Sequence, residues 1–219
     1  GHGDPDPGAV LGVFKDIFAG DAPDGVQFDA DGAQIGRIRE DTEYGGLRIK
    51  TTANVGGARV SISVDVGFGD AMEPEPQILD LPGLLDMPTA PLRGYARETV
   101  VAEKFQAMVA LGLTNTRIKD YYDVWLLSRS FEFDEAQLGR AIAATFERRD
   151  TAVPTETPDA LTAAFSKDEA KQRQWAAFSR DVSFDPGPLP RVVETLAGFL
   201  MPAAVTAMRH KPQSKDDQS

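Results

Sequence analysis

The apolar residues of this chain change period part-way along, and that change restricts the folds open to it. Val60, Ile62, Val64 and Val66 alternate with Arg59, Ser61, Ser63 and Asp65, as in a strand with one face on a core and one in water. Beyond Gly94 the spacing becomes helical, with Val100, Val101, Phe105, Met108 and Leu111 on one face. Strands first and helices afterwards is an α+β order, not the alternation of a βαβ fold.

Taken in order, Val10, Val13, Phe14, Ile17 and Phe18 predict a short amphipathic helix ending near Gly20. Strands are expected over 26–28, 33–40, 46–53 and 58–66, separated by turn residues such as Asp31-Gly32 and Gly56-Gly57. Residues 71–93 hold Pro74, Pro76, Pro82, Pro88 and Pro91 and read as an extended crossing. Two central helices follow, then helices near 134–148, 159–165, 168–180 and 188–200, with Asp159 and Asp168 as starts. This divides the chain into a sheet part over 1–93, a helical part over 94–205 and a disordered polar tail over 206–219.

Composition narrows the chemistry. The chain has no cysteine, and its two histidines, His2 and His210, lie in terminal segments. Thiol catalysis, zinc–thiolate sites and a histidine-based triad are therefore excluded, leaving carboxylates and lysines. No segment reads as a membrane span and the first residues lack the features of a signal peptide, so a cytoplasmic protein is expected. A net charge of −11 opposes a surface that grips nucleic acid everywhere, yet leaves room for a local basic groove. Arg37, Arg39, Arg48, Lys50 and Arg59 on the strands fit either such a groove or a solvated sheet face.

The central helices carry charges on the sides they should bury. Lys104 projects into the face made by Val100, Val101, Met108 and Leu111, and Asp123 points between Leu126 and Leu127 with Lys119 one turn before it. An unpaired charge taken out of water costs several kcal/mol. Mutual pairing, a metal or a bound anion would each resolve the conflict.

The run Tyr95, Glu98, Thr99, Ala102, Glu103, Lys104, followed by Asn115, Arg117, Lys119, Asp120 and Asp123, resembles the AbiEii/AbiGii family of nucleotidyltransferase toxins of type IV toxin–antitoxin and abortive-infection systems. The resemblance implies a partial polymerase-β-like nucleotidyltransferase fold, a mixed sheet followed by a helical lobe, with the site between them. It also implies Mg²⁺ and an NTP as cofactors, transfer of a nucleoside monophosphate to an acceptor such as the 3′ end of tRNA, and an AbiEi-like winged-helix antitoxin as partner.

Carried over residue by residue, the resemblance makes Lys104 the lysine that holds triphosphate oxygens, with Lys119 beside it. Asp120 becomes the essential helix carboxylate, and Asp123 either shares its role or fixes helix packing. Asp65, in the segment Val64-Asp65-Val66-Gly67-Phe68-Gly69-Asp70, resembles the metal-side carboxylate, and Asp70 reads as a turn residue.

One part of the family pattern has no counterpart. Such enzymes open with a Gly-Ser or Gly-Gly helix start and an Asp-x-Asp strand, and nothing before Lys15 matches either. Asp4-Pro5-Asp6 does not substitute, because proline is confined to strand edges. The expectation is a chain that begins after the first metal-binding carboxylates. Beside the transfer enzyme stands a second expectation, a non-catalytic scaffold of the same fold that binds the antitoxin.

Overall fold

The computed structural model describes residues 6–20, 22, 24–38, 46–69, 72–81 and 89–209. The α+β order is the one observed, and among the described residues every strand pairing is antiparallel. Asp70, Arg39, both histidines and residues 210–219 lie outside the described residues. The chain divides into two units, Gly1–Asp70 and Ala71–Ser219.

In the first unit, helix α1 (Pro7–Phe18) begins earlier than its apolar period suggests. Pro7 occupies the first turn, and Asp6 caps it by accepting a hydrogen bond from Ala9 N at 2.9 Å. Strands β1 (Val26–Phe28), β2 (Gln34–Arg37), β3 (Leu47–Val55) and β4 (Ala58–Val66) follow. Strand β3 is the centre: β1 and β2 pair with its two ends and β4 runs beside its whole length.

The β3–β4 connection is the two-residue turn Gly56-Gly57, with φ of 58° and 88°. Positive φ at both central residues matches the twist of a hairpin and favours glycine. Along β3, Leu47, Ile49, Thr51 and Ala53 are buried while Arg48 and Lys50 are exposed. Phe18, Ala33 and Ile49 form a small core, with Val10, Leu11, Phe14, Ile35, Val64 and Val66 packed against it. Val60, expected in that core, is exposed, since the packing reaches only the Val64–Val66 end of β4.

The second unit begins inside the proline-rich stretch, which is a hairpin and not a plain crossing. Strand β5 (Gln77–Leu81) pairs with β6 (Ala90–Gly94), Gln77 opposite Gly94. The stretch belongs with the helices because Thr99 Oγ1 donates to Glu73 O at 2.8 Å and Arg140 pairs with Glu73 at 3.4 Å. The break in the chain therefore falls after Asp70, not after residue 93.

Helices α2 (Arg97–Leu111), α3 (Ile118–Ser130), α4 (Glu135–Arg148), the short α5 (Ala163–Ser166), α6 (Glu169–Phe178) and α7 (Leu189–Arg209) build the larger core. Asp134 and Asp168 cap α4 and α6, accepting from Gln137 N at 2.7 Å and Lys171 N at 2.9 Å. Asp159 instead begins a single 3₁₀ turn. Phe105 meets Phe146 at 5.4 Å and Tyr121 stacks on Phe165 at 4.9 Å, joining α2, α3, α4 and α5.

Helix α7 runs to Arg209 through Pro202, past the expected end at Leu200. Residues 206–209, assigned above to the tail, are thus helical. By length and composition, with a mean hydropathy of 1.3, α7 is apolar enough to cross a membrane, contrary to the sequence reading. Its stripe of Leu189, Val192, Leu196, Leu200, Ala203 and Ala207 is buried within this unit, as in a core helix.

Candidate active site

Helices α2 and α3 place their buried charges against each other. Lys104 Nζ donates to Asp120 Oδ1 at 2.7 Å and to Asp123 Oδ2 at 2.8 Å. Lys119, one helical turn before Asp123, donates to both of its oxygens at 2.9 and 2.6 Å. Arg117 Nε stands 2.7 Å from Asp120 Oδ2. Three cations therefore face two carboxylates, so the cluster as a whole is positive and can take an anion.

The groups differ in how far they are sunk. Asp120 is 7% exposed and Lys104 18%, whereas Arg117 and Lys119 reach out at 56% and 70%. Burial works against the charge on Lys104, but its hydrogen bonds to Asp120 and Asp123 outweigh it and hold the ammonium above the ordinary lysine range. Burial likewise opposes the charge on Asp123, and Lys104 and Lys119 together draw its carboxyl below the usual carboxylate range. Of the three arrangements open to a charge on this apolar face, mutual pairing is the one present.

The two oxygens of Asp120 are held differently. Oδ1 accepts from Lys104, whereas the buried Oδ2 meets Arg117 Nε as an ion pair at 2.7 Å without regular hydrogen-bond geometry. The guanidinium offsets the cost of burying that oxygen's charge.

The turn before α3 aims this carboxylate. Asn115 is fully buried, its Oδ1 accepts from Arg117 N at 2.8 Å, and its backbone oxygen accepts from Lys171 Nζ at 2.6 Å. Lys171 is itself buried and lies 5.3 Å from the Phe165 ring centroid. Its place was not legible from spacing: α6 is distant in sequence and Lys171 sits among polar neighbours. The role of Asn115 had a signal in the Asn-x-Arg turn pattern ahead of the helix.

Asp65 lies in the other unit, on the solvent side of β4. Both of its oxygens are taken by Arg48, directly opposite on β3, at 2.6 Å each. Arg48 holds the Asp65 carboxyl below its ordinary range, and Asp65 raises the guanidinium in turn. Among the described residues no group of three or more carboxylate or histidine side chains could hold a metal ion. Asp65 is the carboxylate on this strand that could offer an oxygen to a metal, and Arg48 now occupies it.

The family model described as nucleotidyl transferase AbiEii toxin, type IV TA system, matches residues 1–198. The chain belongs to this family. The AbiEii match spans Asp65 and the whole Lys104–Asp123 cluster, and a type IV toxin is one half of a pair whose other half is an antitoxin. No curated protein matches the chain. Among solved structures, MenT4, a nucleotidyltransferase toxin from Mycobacterium tuberculosis H37Rv, is similar at 18% identity and a TM-score of 0.46, over 93% of this chain and 75% of that one.

Proposed function

We propose that this AbiEii-family chain transfers a nucleoside monophosphate from an NTP to an RNA acceptor, the 3′ end of a tRNA, in the cytoplasm. The observation that carries the reading is the cluster in which Lys104, Lys119 and Arg117 gather around Asp120 and Asp123. In the transfer, the acceptor hydroxyl oxygen forms a bond to the α-phosphorus while the α-phosphorus–oxygen bond to pyrophosphate breaks, and pyrophosphate leaves. The hydroxyl proton passes to Asp120 Oδ2 once Arg117 leaves that oxygen for the triphosphate.

Lys104, Lys119 and Arg117 receive triphosphate oxygens, since charge spreads over the non-bridging oxygens as phosphoryl transfer proceeds. Asp123 keeps Lys104 and Lys119 in place. Asp65 is the metal-side carboxylate of this reading.

A second reading has its own support, the closure of Asp65 by Arg48. In it the chain is a scaffold that binds an AbiEi-like winged-helix antitoxin and transfers nothing. The two separate on incubation of the chain with α-labelled NTPs, Mg²⁺ and total tRNA, beside a Lys104→Ala variant. Label in tRNA that vanishes in the variant supports transfer. No label from the wild-type chain, with antitoxin still bound, supports the scaffold.

A further inference from the structure

The solvent face of the β1–β4 sheet carries positive charge in a strongly acidic chain. The register sets Gln34, Lys50 and Ser63 in one row, Thr52 and Ser61 in the next, and Asn54 and Arg59 in the row beyond. All are polar, and Lys50 and Arg59 are exposed with no ion pair among the described residues, Lys50 acting on Asp65 only at longer range. The only carboxylate on this face of β3 and β4, Asp65, is neutralised by Arg48.

Two shallow depressions of about 480 and 500 Å³ lie on the sheet and share Gln34 and Lys50. Asp29 also lines the first, with one carboxylate oxygen bonded to Gly32 N.

We propose that this face holds the phosphate backbone of a single-stranded RNA segment without reading its bases. Two features favour RNA over a protein partner. The face bears no apolar or aromatic side chain on β3 or β4, whereas the centre of a protein interface is apolar and rich in aromatics. Its groups are the cations, hydroxyls and amides that contact phosphate and sugar oxygens. Lys50 and Arg59 stand roughly 14 Å apart along the strands, at about 3.4 Å per residue, so they meet different phosphates of one extended strand.

Without an aromatic platform there is no stacking, so oligo(U) and oligo(A) bind alike. Each phosphate that Lys50 and Arg59 neutralise releases condensed counterions, so binding weakens as salt rises. Identifying the RNA with the acceptor rests on the transfer reading above, but binding to the face does not.

The test is anisotropy of fluorescein-labelled oligo(U) and oligo(A) with the full chain, from 50 to 300 mM salt. The doubly substituted Lys50→Gln/Arg59→Gln chain should bind at least tenfold more weakly, with the slope of log affinity against log salt shallower by about 1.4, at about 0.7 per lost phosphate contact. Its melting temperature should change little, as both side chains are exposed and Lys50 acts on Asp65 only at longer range. Charge reversal at Arg173, exposed on α6 and paired only with Glu169, should leave binding as it was.

Equal affinity and slope in the double variant, or no RNA binding at 50 mM salt, overturns the proposal. So does displacement of the RNA by polyglutamate as readily as by unlabelled RNA, which marks a patch for an acidic protein. A Lys104→Ala chain that binds RNA normally but transfers nothing keeps the two readings distinct.

Discussion

Lys104 and Asp120 meet across α2 and α3 at 2.7 Å, and Asp123 takes the same ammonium from its other side at 2.8 Å. Removing the lysine leaves two carboxylates facing each other with little water. Breaking a buried pair by deleting one partner costs about 3–5 kcal/mol, and the partial exposure of Lys104 brings this to about 2–3 kcal/mol. Lys104→Ala should therefore lower the melting temperature by roughly 5–10 °C. Adding Asp123→Asn should restore part of the loss, and a variant as stable as wild type would show that the pair contributes nothing. Lys119→Ala, at an exposed pair, should stay within about 0.5 kcal/mol.

The same cluster fixes two limbs of the pH–stability curve. Asp123 is depressed in the folded chain, so its contribution is complete above the unfolded value, about 3.9, and is lost as pH falls through the folded value. Lys104 is raised, so its contribution is complete below about 10.4 and is lost as pH rises through the folded value. Urea unfolding from pH 2 to 12 should show stability falling at both ends. Asp123→Asn should flatten the acid limb and Lys104→Met the alkaline one. Variant curves parallel to wild type throughout would remove these groups from the account.

The two central helices and the conflict of Lys104 and Asp123 with apolar neighbours could be read from the sequence, because helical spacing and the cost of a buried charge are local facts. What was hidden depended on pairing between distant residues. Arg48 closes Asp65 only because β3 and β4 run in register, and Lys171 reaches the Asn115 carbonyl from α6. The proline count of 71–93 concealed a hairpin, since β5 and β6 are short and exposed strands that tolerate proline. Proline also misplaced the end of α7. Pro202 lacks the N–H of an interior helix residue, yet burial of Ala203, Ala204 and Ala207 carries the helix on.

Glycine at residue 139 lets α4 approach α7. A β-carbon there would stand 2.8 Å from Thr206 Cγ2 and 3.2 Å from Ala207 N, the latter a backbone atom that cannot swing away. Alanine in an open helix interior stabilises by about 1 kcal/mol over glycine, whereas overpacking costs about 1–3 kcal/mol. The clash should win, so Gly139→Ala should lower the melting temperature. It should also disturb the bond from Thr206 Oγ1 to Glu135 Oε1, now 2.7 Å. A more stable variant would mean that α7 shifts freely.

Asp120 and Asp123 share a lysine but should separate in a transfer assay. Asp123 has both oxygens bonded to lysines, so all it can do is hold charge in place. Asp120 Oδ2 is held by the exposed Arg117 and not by a lysine, and a carboxylate that takes a proton contributes a factor of about 10² to 10⁴ in rate. In a chain that transfers label, Asp120→Asn should lower turnover by about 10² or more with a modest change in melting temperature. Asp123→Asn should change the melting temperature more and turnover less. The reverse order would make Asp123 the reacting carboxylate. If Lys104→Ala lowers the melting temperature while transfer stays near wild type, the cluster is an ion pair that joins two helices, and the reaction is carried elsewhere.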